Sequence, residues 1–203
     1  MYDASYTNEV RAVMALNVIS AIGYAWGALG ALWIAGLPFT KPTLRSQPVG
    51  SRLFHLGLDL LGVSLLGSSW FVNGWLAARF VPSTHGVQLT GLALTIAGCL
   101  FAAWSRILLG GNWSGRATVK SGHELVLKGP YALVRHPIYT GIIAAILGTS
   151  LAIGEWRCLV GCVVILLKFI IKMSQEERFM AQTFPEEYSL YCDHVKALIP
   201  GLL

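Results

Sequence analysis

Charge is scarce in this chain. Only 12% of its 203 residues are Asp, Glu, Lys or Arg, against roughly a quarter in an average soluble domain. Too few charges remain to coat a globule of that size, which excludes a water-soluble monomer. Disordered chains combine low apolar content with high net charge; this one is 55% hydrophobic with a mean hydropathy of +0.61, so disorder is excluded too. Cysteine is also sparse. Cys99, Cys158, Cys162 and Cys192 contain no Cys-x-x-Cys pair, which removes a disulfide framework, a zinc knuckle and a redox dithiol. Cys158 and Cys162 stand one helical turn apart, as small packing residues do. The motifs of soluble catalysis are missing as well. Gly110-Gly111-x-x-x-Gly115 departs from the dinucleotide-binding pattern and follows an apolar run rather than a strand. There is no P-loop, no Gly-x-Ser-x-Gly and no His-Glu-x-x-His. His123 and His136 lie thirteen residues apart without companion ligands, so no metal is expected. No internal repeat is visible.

What is present is long apolar runs, seven Trp, seven Tyr and 22 Gly, the composition of a bilayer protein whose aromatics sit at interfaces and whose glycines let helices approach. A hydrocarbon core of about 30 Å needs roughly 20 apolar residues as a helix. The runs predict spans over about Ala12–Leu37, Leu53–Leu76, Val87–Leu109, Ile138–Ile153 and Trp156–Ile171. The fold class is therefore an all-α integral membrane protein of about five transmembrane helices. The first run starts too late and continues too long for a cleaved signal peptide. Gly23-x-x-x-Gly27 and Ala21-x-x-x-Ala25 predict close helix packing on the first span. His55 and Asp59, four apart on the second, predict a local hydrogen-bonded pair.

Charge orients these spans. Lys41, Arg45 and Arg52 follow the first; Arg106, Arg116, Lys120, Lys128 and Arg135 follow the third against Glu124 alone. The opposite loops are poorer in cations, so the positive-inside rule places both basic loops and the tail from Lys172 to Leu203 in the cytosol. Basic residues gathered in such loops orient a multi-pass protein, and nucleic acid is not expected as a partner. Two polar segments, 106–137 and 172–203, face the same compartment, and a site for a soluble cofactor would be built from them. Lys168, Lys172 and Glu176 share one helix face, four residues apart.

The first of these segments carries Ser121-Gly122-His123-Glu124-Leu125-Val126, then Gly129-Pro130-Tyr131 and Arg135-His136-Pro137-Ile138-Tyr139-Thr140-Gly141. Glu176-Glu177 and Phe184-Pro185-Glu186-Glu187-Tyr188-x-x-Tyr191 follow a helical hairpin. This assembly, over about Gly110 to Pro200, resembles the isoprenylcysteine carboxyl methyltransferase family and its phospholipid methyltransferase relatives. The resemblance implies a membrane methyltransferase using S-adenosyl-L-methionine, with a cytosol-facing pocket formed by the connection between spans three and four and by the C-terminal helices. It implies one membrane domain over 1–203, with three spans in 1–109 and the catalytic part in 110–203. His123, Glu124, Leu125, Val126, Tyr131, His136, Pro137, Ile138 and Tyr139 would line the cofactor, and Glu176 would reach it from the other side. Where the family has an Arg oriented on the substrate carboxylate, this chain has Lys172.

The chemistry agrees with those roles. Tyr131 and Tyr139 offer ring faces to a sulfonium, Glu176 suits an ammonium or ribose hydroxyls, and His123 or His136 suits a carboxylate. A carboxylate acceptor needs no general base at neutral pH, only a cation to orient it, and Lys172 supplies that as a point charge rather than a fork. The expected acceptor is a lipophilic small molecule or prenylated substrate drawn from the lipid bilayer. The alternatives are phospholipid or amine N-methylation, an NADPH-dependent membrane reductase, or a non-catalytic membrane protein.

Overall fold

The structure, a computed structural model, describes residues 4–46, 49–68, 73–113, 118–120 and 125–202, with side chains over 16–42, 50–51, 53–68, 73–113 and 125–202. Six helices carry the fold: α1 (Ala4–Ala35), α2 (Val49–Gly67), α3 (His85–Leu109), α4 (Pro137–Ile153), α5 (Trp156–Thr183) and α6 (Pro185–His194). Among the described residues, three stretches are long and apolar enough to cross a membrane: Leu16–Phe39, His85–Asn112 and Trp156–Thr183. Leu53–Gly67 and Pro137–Ile153 are shorter apolar helices. The protein is thus an integral membrane protein with its apolar helices in the predicted order.

Two departures from the sequence reading concern secondary structure. The chain is not purely helical: β1 (Thr43–Ser46) pairs antiparallel with β2 (Thr118–Lys120). The second helix also stops at Gly67 instead of continuing to Leu76, and the apolar residues beyond include a short 3-10 turn, Gly74–Ala77. Its end is capped from a distance. Arg157 Nη1 donates to the carbonyls of Leu65, Leu66 and Ser68 at 3.0, 3.1 and 3.3 Å. A cation thereby satisfies the orphan acceptors at the negative end of α2.

Small residues join α3 to α4. A Cβ built on Gly98 would lie 2.5 Å from the Gly141 carbonyl oxygen, and one on Gly91 2.6 Å from that of Gly148. Only glycine permits backbones this close. On α1 the outcome is the reverse of the expectation: Gly23 and Gly27 have nothing within 4 Å of a built Cβ, so that glycine face meets no neighbour among the described residues. Deeper in the bundle, Thr95 Oγ1 lies 3.2 Å from Thr149 Oγ1, which also accepts from Trp26 Nε1 at 3.1 Å. Each threonine hydroxyl additionally bonds its own helix's carbonyl, so these three side-chain donors are all satisfied.

The connections sort to two ends of the bundle. At one end the β1–β2 ribbon ties the α1–α2 loop to the α3–α4 connection, helped by Lys41 N–H to Gly111 O at 2.9 Å and Arg106 Nη2 to Gly36 O at 3.1 Å. The chain beyond α6 returns to that same end, where the main-chain N–H groups of Arg135 and His136 donate to Lys196 O and Ala197 O at 2.8 and 3.0 Å. At the other end the α2–α3 and α4–α5 connections meet, with Phe80 N–H on Gly154 O and Trp156 N–H on Ala78 O. Gly154 makes that sharp turn with φ +77°, a conformation that glycine adopts without penalty.

Candidate functional site

Pro137 starts α4. Proline suits the first helical position because its absent N–H would be unsatisfied there anyway. The helix thus begins immediately after His136 and carries Ile138 and Tyr139 in its first turn. A buried cluster of Ile138, Tyr139, Ile146, Cys162, Ile165, Phe169 and Met173 locks α4 against α5. This packing brings the entry to α4 beside the polar far end of α5. Tyr139 Oη donates to Glu176 Oε1 at 2.7 Å across 37 residues of sequence. Lys172 Nζ lies 3.7 Å from the same Oε1, one helical turn earlier on α5, and 5.4 Å from the Tyr139 ring centroid.

An open cavity lies over this junction. Of the residues singled out in the sequence, Leu125, Val126, Tyr131, His136, Pro137, Ile138, Tyr139, Lys172 and Glu176 all line it. His123 and Glu124 lie outside the described residues. Tyr139 differs from expectation: its ring stacks on His136 (centroids 5.5 Å apart, planes 5° apart) and on Phe169 (4.4 Å, 14°). These rings compete for the face that was expected to meet a sulfonium. The phenol of Tyr131 is pushed well up from its usual range by burial and then by the Glu176 carboxylate. That of Tyr191, on α6, is pushed up to about 12 by burial. Both therefore remain protonated donors at neutral pH, Tyr191 to the Tyr131 carbonyl and Tyr131 to the Ser105 carbonyl.

Sequence reasoning missed several contributors. Phe179 and Met180 of α5 and Tyr188 and Tyr191 of α6 add an apolar wall, and Leu109, Asn112 and Trp113 add another from the end of α3. Arg135 and Glu177 stand in the sequence motifs without a place at the site. They form a part-buried pair instead, with Arg135 Nε and Nη2 donating to Glu177 Oε1 at 3.0 and 2.8 Å and Nη1 to the Val195 carbonyl at 2.6 Å. The available signal was the adjacency of Arg135 to His136 and of Glu177 to Glu176. His55 and Asp59 also part company. Asp59 Oδ1 pairs with Lys168 Nζ at 2.5 Å, across to α5, while neither ring nitrogen of buried His55 has a hydrogen-bond partner among the described residues.

The site is a mouth on the polar end of the bundle. It has apolar walls, and its polar side holds two carboxylates, a lysine, an arginine and a histidine in mutual contact. Such a wall can take a zwitterion, and the apolar walls can take a flat ring or a lipid chain.

Residues 91–182 match the model of the isoprenylcysteine carboxyl methyltransferase (ICMT) family. A 117-residue stretch is 28% identical to the "Probable protein-S-isoprenylcysteine O-methyltransferase" of Oryza sativa subsp. indica, covering 56% of this chain and 61% of the relative. A 79-residue stretch is 34% identical to the protein-S-isoprenylcysteine O-methyltransferase of Schizosaccharomyces pombe, covering 38% of this chain and 34% of the relative. The chain thus spans about three fifths of the rice relative's length, and less of the yeast one's. The solved structure of the eukaryotic intramembrane Ras methyltransferase ICMT superposes with a TM-score of 0.53 over 99% of this chain and 88% of that one, at 19% identity. The fold is shared.

Proposed function

We propose that this chain, whose residues 91–182 match the model of the isoprenylcysteine carboxyl methyltransferase family, transfers a methyl group from S-adenosyl-L-methionine to the carboxylate of a lipophilic, prenylcysteine-like acceptor. The carrying observation is the Tyr139–Glu176 hydrogen bond, which joins the Arg-His-Pro-Ile-Tyr stretch to the acidic end of α5 over one cavity. The residues present suit that cofactor. The Glu176 carboxylate and the His136 ring answer its zwitterionic end, and aromatic and aliphatic walls answer its ring.

When bound, the cofactor supplies an electrophilic methyl group on a sulfonium. The protein's task is to hold two reactants in line and exclude water, and positioning of that kind accounts for a large part of the acceleration in two-reactant chemistry. His136, Pro137, Ile138, Tyr139 and Glu176 hold the cofactor with Leu125, Val126 and Tyr131; His123 and Glu124 complete that strip by their place in the motif. Lys172 orients the acceptor carboxylate, which is ionised at neutral pH and needs no base. An amine acceptor would need to lose a proton and would meet the Lys172 charge, which disfavours the N-methyl alternative. The site faces the cytosol by the surplus of Lys and Arg in the loops at its end.

The test uses the full chain in detergent. Calorimetric titration with S-adenosylhomocysteine should give saturable heat and NADPH none. Labelled methyl from S-adenosylmethionine should then reach N-acetyl-S-farnesylcysteine but not phosphatidylethanolamine. Heat with NADPH alone, or label only in the amine lipid, would refute the assignment.

A further inference from the structure

Two adjacent carboxylates, Glu176 and Glu177, end the charged face of α5, and only the first has a role so far. Successive helical residues point about 100° apart, so both cannot reach the same ligand. His136 lies between them. Its Nε2 is 3.1 Å from Glu177 Oε1 and its Nδ1 is 3.7 Å from Glu176 Oε2. An ionised carboxylate has no proton to give, so the short contact requires the hydrogen to sit on Nε2 and to point at Glu177. The contact at 3.7 Å is too long to be a hydrogen bond, so no bond to Glu176 holds a second proton on Nδ1. In the neutral ring Nδ1 is then a bare acceptor.

This arrangement is pinned from several sides. The same Glu177 Oε1 receives Arg135 Nε and Nη2, and Arg135 is itself held by the Val195 carbonyl. The His136 ring lies flat on Tyr139, and its main-chain N–H bonds Ala197 O. Glu177 therefore has little freedom to swing away and the ring little freedom to flip. At the cavity an imidazole nitrogen lone pair stands beside a carboxylate oxygen, two adjacent acceptors, while Lys172 of the same wall lies 3.7 Å from the other Glu176 oxygen. Two such neighbouring acceptors suit a cation with several N–H bonds.

We propose that Glu177 is a positioning residue: it fixes the Nε2–H tautomer of His136, so that His136 and Glu176 together form a seat for the ammonium group of the cofactor's amino-acid end. The inference rests on the cofactor reading above and revises one expectation from the sequence, since His136 takes the ammonium end and not the carboxylate. Glu177 touches no ligand; it acts through the ring it holds.

The first experiment needs no ligand. Nitrogen-15 NMR of histidine-labelled protein in detergent, with the His136 signals assigned by a His136→Asn variant, should show the Nε2–H tautomer in the wild type and in Glu177→Gln, whose side-chain carbonyl still accepts that proton. Glu177→Leu should lose it. The second compares binding of S-adenosylhomocysteine with its desamino analogue. The wild type should prefer the amino compound by about tenfold or more, the scale of one charge-assisted hydrogen bond. Glu177→Gln should keep most of that preference, and Glu177→Leu should bring it close to unity. An Nδ1–H tautomer in the wild type, or a preference unchanged in Glu177→Leu, overturns the proposal. A wild type that binds neither compound defeats the cofactor reading and the ammonium seat together, while the tautomer measurement still decides what Glu177 does to His136.

Discussion

Replacing Gly98 by alanine puts one methyl group into one of the tightest backbone approaches in the bundle. The new Cβ would stand 2.5 Å from the Gly141 carbonyl oxygen and 2.9 Å from the Ala145 Cα, whereas ordinary contact begins near 3.4 Å. The helices must therefore separate by roughly 0.9 Å at that point, the difference of those two distances. The obstructing atoms are backbone, so no rotamer change relieves the clash. Overpacking of this kind costs about 1–3 kcal/mol, while the gain in helix propensity returns about 1 kcal/mol, leaving a net loss of up to about 2 kcal/mol. Gly27→Ala on α1 is the matched control. Nothing lies within 4 Å of its Cβ, so only the propensity gain of up to about 1 kcal/mol applies. At about 2–4 °C per kcal/mol for a chain of this size, the overpacking cost that separates the two variants should make them melt roughly 2–12 °C apart in the same detergent, with Gly98→Ala the lower. Because α4 begins at the site, Gly98→Ala should also weaken S-adenosylhomocysteine binding while Gly27→Ala does not. If both melting points rise together, the close approach of α3 and α4 does not hold this fold together.

Two further outcomes test the polar bonds inside the helical bundle. Asp59→Ala leaves the Lys168 side chain, 11% exposed, without its counter-charge. It should destabilise by about 3 kcal/mol, with Lys168→Met in the same chain recovering most of the loss; additive losses in chemical unfolding would contradict a coupled pair. Arg157→Met removes the donor to three carbonyls at the end of α2 and should cost about 2 kcal/mol. Hydrogen exchange should increase in the last turn of α2 and not in α3, and an unchanged α2 would refute the cap.

The order of the apolar helices and the meeting of the two polar segments were legible in the sequence, and the reasons are physical. Span length is a hydropathy signal, and Arg135-His136-Pro137 stops one element and starts another at a known place. What escaped depends on partners distant in sequence. The apolar run through Leu76 gives no sign that α2 ends at Gly67, because the residue that caps it, Arg157, lies about ninety positions away. The β1–β2 ribbon exists only because folding brings two loops to the same end. Asp59 found Lys168, 109 residues distant, rather than its helical neighbour His55. The glycines were a different failure. The Gly-x-x-x-Gly pattern on α1 meets no described neighbour, while the spacing that packs helices is seven, Gly91 to Gly98 on α3 against Gly141 to Gly148 on α4. Two turns of a helix return a residue to the same face, so that signal was present and unused.

Lys172 is the remaining substitution to explain, and the charge balance of the site accounts for it. At the edge of a bilayer an unpaired charge is costly, and in this structure Lys172 and Glu176 sit 3.7 Å apart. On the proposed reading, the cofactor's ammonium takes over Glu176, and the lysine, a point charge on a flexible stem, turns to the acceptor carboxylate. The ligands exchange partners instead of adding uncompensated charges, which requires the cofactor to bind first. Lys172→Ala should therefore cut turnover by about 10–100-fold, the worth of one charge-assisted contact, with S-adenosylhomocysteine affinity kept within about threefold because Glu176 no longer has to give up a partner. Product-inhibition patterns in the wild type should show the cofactor on the enzyme before the acceptor. A random order, or a Lys172→Ala variant that loses cofactor affinity and keeps turnover at saturation, would place the lysine on the cofactor and leave the acceptor carboxylate without its cation.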